Sequence, residues 1–249
     1  MPRDSALVAE THPSPCREPR RGCNGPDMLL LHYTGMKSCE RAIDWLSRHE
    51  ARVSCHYVID IDGRITQMVP EVMRAWHAGV SVWAGDTDIN SRSIGFEIHN
   101  PGHDEGYPDF TDAQMAAVIA LAADVVRRWA IRPERVLAHS DVAPARKIDP
   151  GEKFDWKRLW LSGVGRWVPP AAVNDNDVGL GLGACHDDVA VAQALLRTYG
   201  YGIEETGTLD LSSQQVLIAF QRHFRPARVD GHLDRSTLET LERLIATVS

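Results

Sequence analysis

The chain has 249 residues and a formal net charge of -7, with 43% hydrophobic and 24% charged residues, which suits one large globular domain or a medium domain with a small companion. The acidic balance argues against a partner held by phosphate neutralisation, because basic residues gather only in short runs such as Arg17 to Arg21. No stretch reaches the roughly 18 to 20 consecutive apolar residues of a membrane span, so neither nucleic acid nor a bilayer core is an expected environment.

Residues 1–27 are rich in Pro, Arg and Gly without a hydrophobic period and read as an irregular arm. They also lack the apolar centre of a signal peptide. The five cysteines are scattered and include no C-x-x-C pair, which predicts neither a disulfide framework nor a zinc knuckle. Together these features predict a cytoplasmic protein; a leader encoded upstream would instead place it in the periplasm or envelope.

The first buried strand is expected at "MLLLHYTG", where an apolar run closes on Gly35 and leaves His32 at its end. Residues 38–50 carry Ile43 and Leu46 at helical spacing. "CHYVIDIDGRITQMV" then reads as a hairpin about Asp62-Gly63. In "SIGFEIHN" the alternation of a strand sets Gly95, Glu97 and His99 on one face and Phe96 and Ile98 on the other. Thr111 and Gln114 form a capping box for a helix over 112–130, with Met115, Val118, Ile119, Ala122, Val126 and Trp129 at its spacing. "RVLAH" is a short strand that delivers His139, and the loop from 140 to 151 holds Pro144 and Pro150, which oppose a helix.

Composition shifts near 161–185 to Gly, Pro, Asn and Asp without periodicity, the mark of a linker. Beyond it, "GTLDLSSQQVLIAF" and "GHLDRSTLETLERL" repeat a turn that opens an amphipathic helix, and "DDVAVAQALLRTYGY" supplies a helix before them. The expected architecture is α/β, a mixed central β-sheet flanked by helices over 28–165, then a linker at 166–185 and a small three-helix domain at 186–249. Leu195, Leu196, Phe220, Phe224, Leu238 and Leu241 form the expected core of that domain.

Catalytic zinc takes three protein ligands and keeps a fourth position open for water. His32 and His139 stand at predicted strand ends and Asp149 on a stiff loop, so the three can converge at one sheet edge. Taken singly, each such residue is more often a surface or hydrogen-bonded group; the combination points to a metal. Hydrolysis there also needs a proton acceptor and a cation for the developing oxyanion, roles that suit Glu97 on its polar strand face and Lys147 two residues before Asp149.

"LLLHYT", "CHYVIDIDGRITQMVPEVMRAWHAGVS", "SIGFEIHN" and "AHSDVAPARKIDPGEKFDW" together resemble the zinc-dependent N-acetylmuramoyl-L-alanine amidases of the type-2 family, which share a fold with peptidoglycan recognition proteins. The resemblance implies one Zn2+ ion held by His32, His139 and Asp149, with Glu97 as catalytic acid/base and Lys147 as oxyanion stabiliser. It places Trp76 and His77 of "RAWHAG" in the substrate groove, and it matches His56 to a family histidine that packing alone would equally explain. At His99 family members often carry a second carboxylate, so that position departs from the pattern. Residues 186–246 resemble a three-helix peptidoglycan-binding domain through "AFQRHF" and "RVDGHLDRSTLETL". The implied activity is hydrolysis of the amide between N-acetylmuramic acid, or its 1,6-anhydro form, and L-alanine, with peptidoglycan or muropeptide fragments as partners. A recognition protein that binds muropeptide without cleaving it is the alternative, as is a zinc hydrolase acting on another stem-peptide amide.

Overall fold

A computed structural model describes residues 1–248 of the chain; residue 249 of the expected C-terminal domain lies outside the described residues. The first 27 residues are not irregular throughout. They supply β1 (Glu10–Thr11) and β2 (Arg17–Pro19), too short to leave a period in the sequence, and they bury Val8 and Cys16.

β3 (Met28–Tyr33) follows, then α1 (Cys39–Leu46), capped by Ser38, and β4 (Tyr57–Ile59) and β5 (Ile65–Gln67). The last two pair antiparallel about a turn in which Gly63 adopts φ 84°, the left-handed geometry that Asp-Gly favours. β6 (Met73–Ala75) pairs with β2, and a one-turn α2 (Ile89–Arg92) leads into β7 (Ser93–Ile98). α3 (Asp112–Trp129) begins with the reciprocal Thr111–Gln114 capping box expected of it.

β8 (Val136–Ala138) ends where α4 (His139–Val142) starts, so the segment after "RVLA" does contain one helical turn before Pro144 stops it. α5 (Trp156–Leu161) closes the first region.

The six-stranded sheet runs β1-β5-β4-β7-β3-β8, parallel except for the β4–β5 hairpin. β3 lies between β7 and the edge strand β8 and is buried on both faces. Leu29 and Leu31 join Ile94, Phe96 and Ile98 of β7 against Val118, Leu121 and Val125 of α3. Met28 and Leu30 face the opposite way, into a second core. Full burial stabilises each such side chain by about 1.5–3 kcal/mol, which is why a continuous apolar run sits here rather than an alternating one.

The C-terminal region consists of α6 (Asp187–Tyr199), α7 (Leu211–Phe224) and α8 (Arg235–Ile245). Its sequence echo has a structural counterpart. Asp210 and Asp234 cap α7 and α8, while Gln193 and Gln221 each accept the backbone N–H of the glycine that opens the next turn, Gly207 and Gly231. Residues 166–185 carry no helix or strand but are pinned by bridges Leu180–Leu233 and Cys185–Thr208.

The second core is shared: Met28, Leu30, Leu137 and Val142 of the first region pack in one cluster with Leu196, Tyr199, Phe220 and Phe224 of the second. Gly200 and Gly202 permit this approach, since a Cβ on either would lie 2.7 Å from Trp83 or 2.3 Å from Val82.

Candidate active site

Parallel register sets His32 of β3 directly beside Glu97 of β7, and β8 on the other side of β3 ends immediately before His139. Three donor atoms converge there. His32 Nδ1 lies 2.9 Å from His139 Nδ1 and 3.1 Å from Asp149 Oδ2, and His139 Nδ1 lies 3.0 Å from the same carboxylate oxygen. Among the described residues this is the one grouping of His, Cys, Asp and Glu suited to hold a metal ion.

The hydrogen-bond network fixes what these atoms are. Ser93 Oγ donates to the Ile89 carbonyl at 2.6 Å, so it accepts from His77 Nε2 at 3.3 Å. His77 Nδ1 is then a lone pair that accepts His32 Nε2–H at 2.9 Å. His139 Nε2–H donates to the Ala78 carbonyl at 3.1 Å. In these tautomers both imidazoles present unprotonated Nδ1 atoms to a carboxylate oxygen, an arrangement of three donors that a divalent cation would satisfy. The chemistry of the donor set fits a zinc site.

Burial, followed by the neighbouring His139, brings the His32 imidazolium down to about 4, so the ring stays neutral at physiological pH. Glu97 is pushed the other way. Burial and the Asp149 charge raise its carboxyl well above normal, against the pull of Lys147, and its Oε2 has no hydrogen-bond partner.

A cleft of about 370 Å³ opens over the three donors and is lined by Glu97, Lys147, Tyr33, Trp45 and Trp76 among others. Lys147 is half-buried, and its ammonium makes no salt bridge among the described residues. Trp76 stands in the cleft wall, its indole N–H 3.1 Å from Glu18 Oε1. His77 also lines the cleft, from its floor. It is buried, and both ring nitrogens are engaged, Nδ1 with His32 and Nε2 with Ser93, so the ring backs His32.

His56 is likewise internal. It accepts Gly95 N–H on Nδ1 at 2.9 Å and donates from Nε2 to the Met73 carbonyl at 3.1 Å, and burial with the adjacent Arg20 lowers its pKa to about 3. His99 pairs with Thr34 Oγ1 at 3.2 Å beyond the end of β7.

Three contributors escaped the sequence reading. Arg20 of the N-terminal segment donates to the carbonyls of Glu71, Ser91 and Ser93 and so ties that segment beneath the His56–His77 pair. Asn90 Oδ1 accepts the N–H groups of His77 and Ala78 at 2.9 and 2.8 Å and shapes their turn. Gly95 leaves room for the His77 ring, which a Cβ would meet at 2.6 Å. Only the glycine left a signal, as an interruption on the polar face of an otherwise strong strand.

Residues 22–152 match the family described as N-acetylmuramoyl-L-alanine amidase, and residues 185–241 match that of a peptidoglycan binding domain. N-acetylmuramoyl-L-alanine amidase AmiD of Escherichia coli (strain K12) is 36% identical over 230 residues, 88% of this chain and 82% of that protein. The structure of that AmiD in complex with anhydro-N-acetylmuramic acid-L-Ala-D-gamma-Glu-L-Lys superposes with TM-score 0.76, covering 93% of each chain at 35% identity. AmpDh3 from Pseudomonas aeruginosa, in complex with anhydromuramic pentapeptide, gives TM-score 0.74 over 90% of this chain and 92% of that one at 32% identity. The 1,6-anhydro-N-acetylmuramyl-L-alanine amidase AmpD of Citrobacter freundii is 33% identical over 177 residues, 63% of this chain and 91% of its own length.

Proposed function

Because the chain belongs to the N-acetylmuramoyl-L-alanine amidase family, we propose that it hydrolyses the amide between N-acetylmuramic acid, or its 1,6-anhydro form, and the L-alanine of the stem peptide, using zinc held by His32, His139 and Asp149. One observation carries this reading: the converging donors share a cleft with a partnerless Glu97 oxygen and the Lys147 ammonium. Muropeptides bound by AmiD and AmpDh3 support the substrate class.

A zinc ion at this site supplies a Lewis acid and lowers the pKa of water to about 7. Glu97, its carboxyl raised by burial and Asp149, takes the proton of the attacking water and returns it to the departing alanine nitrogen. Lys147 faces the negative charge that develops on the carbonyl oxygen. His77 and Ser93 hold His32 in the tautomer that leaves Nδ1 free, and the Ala78 carbonyl does the same for His139. Trp76 offers an aromatic face to sugar or peptide in the cleft wall.

Mass spectrometry of products tests the reading, with zinc-loaded protein incubated separately with soluble anhydromuropeptide and with intact sacculi. Free stem peptide with an L-alanine amino terminus is the expected product. Its release from the soluble substrate alone would mark an enzyme of muropeptide recycling, and its release from sacculi an enzyme acting on the wall. Binding without any release would leave a recognition protein.

A further inference from the structure

The C-terminal three-helix region makes a polar connection to the ligand-bearing segment that peptidoglycan binding does not require. Asp141 lies two residues after His139, within α4, and its side chain is inaccessible to solvent. It accepts three hydrogen bonds: Ala138 N–H at 2.8 Å, His223 Nδ1–H at 2.8 Å and the Tyr201 hydroxyl at 2.7 Å. The last two come from the C-terminal region. His223 is itself immobilised between the rings of Trp156 and Phe224, at 3.7 and 3.9 Å, and Tyr201 lies edge-on against Trp83 at 4.9 Å.

The preceding residue of α7, Arg222, faces Glu152, three positions after Asp149, at 3.5 Å as an ion pair without a hydrogen bond. Adjacent residues of one helix thus meet both ends of the segment that carries His139 and Asp149.

α4 has four residues, and a single helical turn has no stability of its own, since nucleation fixes several dihedrals for one hydrogen bond. Its orientation is set from outside. A buried carboxylate with three donors is a strong and directional anchor, and here it fixes the turn that begins at His139 relative to the end of β8.

We propose that the C-terminal three-helix region is a positioning element of the amidase centre: His223 and Tyr201 hold Asp141, and through it the turn of His139, where the three donor atoms converge. The proposal rests on the metal-centre reading above. His223 and Tyr201 are positioning residues; neither reaches the cleft.

The test uses the full chain carrying His223→Leu, His223→Asn or Tyr201→Phe, with Leu241→Ala, a buried α8 residue that is not among the hydrogen-bond partners of Asp141, as the control for general destabilisation. Zinc affinity is read by chelator competition, and ligand geometry by the visible spectrum of the cobalt-substituted protein. His223→Leu is expected to weaken zinc about tenfold, near the lower limit for residues that orient metal ligands, and to alter the cobalt spectrum. Asn places an amide N–H where Nδ1–H was and restores both. Tyr201→Phe removes one hydroxyl, keeps the packed ring and weakens zinc to a smaller degree, so it reports even if His223→Leu fails to fold. Leu241→Ala lowers the melting temperature and leaves zinc affinity unchanged.

Wild-type affinity and spectrum in both His223→Leu and Tyr201→Phe would overturn the proposal, as would equal zinc loss in Leu241→Ala. Failure of the wild-type chain to bind zinc would instead remove the metal-centre reading, and the proposal with it.

Discussion

Replacing Gly95 by Ala inserts one methyl group between β7 and the histidine that backs His32. The added Cβ would stand 2.6 Å from His77 Nδ1 and 2.7 Å from its Cε1 and Cγ. Ordinary carbon contacts begin near 3.5 Å, so ring or strand has to move by about 1 Å. The strand is held on both sides by β3 and β4, and the ring at both nitrogens by His32 and Ser93. Overpacking of this kind costs about 1–3 kcal/mol, and a displaced His77 leaves the buried His32 Nε2–H without an acceptor for about 1–3 kcal/mol more. The expected total is about 2–6 kcal/mol, with zinc affinity reduced roughly tenfold or more because the ligand loses its orienting partner. Urea denaturation of the metal-free protein and chelator competition measure the two quantities separately. A variant within about 0.5 kcal/mol of wild type, the scale of a neutral surface change, and with unaltered zinc affinity would refute the role assigned to His77.

Glu97→Gln keeps the shape of the side chain and removes its proton chemistry; turnover should fall by about 10²- to 10⁴-fold at unchanged zinc content, measured by product release and metal analysis. Lys147→Met should lower kcat by about 10²- to 10³-fold with little change in KM, as expected of a group that acts on developing charge, and steady-state kinetics would expose the opposite pattern. The metal-free protein should lose stability in mild acid. His56 stays neutral in the fold down to about 3 whereas the unfolded chain binds a proton near 6.5, so its contribution is fully present above 6.5 and declines as pH falls. Between pH 7 and 5 this amounts to about 2 kcal/mol for that histidine alone. A flat urea midpoint over the same interval would contradict it.

Periodic and local signals carried most of the architecture. The Asp62-Gly63 turn, the Thr111–Gln114 capping box and the apolar run from Met28 to Leu31 each depend on neighbouring residues, and each stands where its pattern placed it. The convergence of His32, His139 and Asp149 was legible because parallel strands present their ends at one sheet edge. What escaped depends on distant contacts. β1 and β2 form only because β5 and β6 offer free edges, and Arg20 is held half-buried because carbonyls from two other segments surround its guanidinium. The inward turn of His77 follows from Asn90 and Gly95, neither of which advertises it. The one-turn α4 was hidden by the prolines after it, since the anchor that stabilises it lies more than 50 residues away at Tyr201 and His223.

The core that joins Met28, Leu30 and Leu137 to Leu196, Phe220 and Phe224 bears on how such a protein can be rebuilt. A carbohydrate-targeting cassette on a tether can be exchanged between enzymes because nothing behind it depends on its identity. Here an exchanged cassette would have to reproduce the apolar relief of one sheet face, the close backbone approach at Gly200 and Gly202, and a donor pair for Asp141. Lineages that recombine these two regions are therefore constrained to inherit them together, and a chimaera that ignores the seam would expose hydrophobic strand surface before it altered what the enzyme recognises.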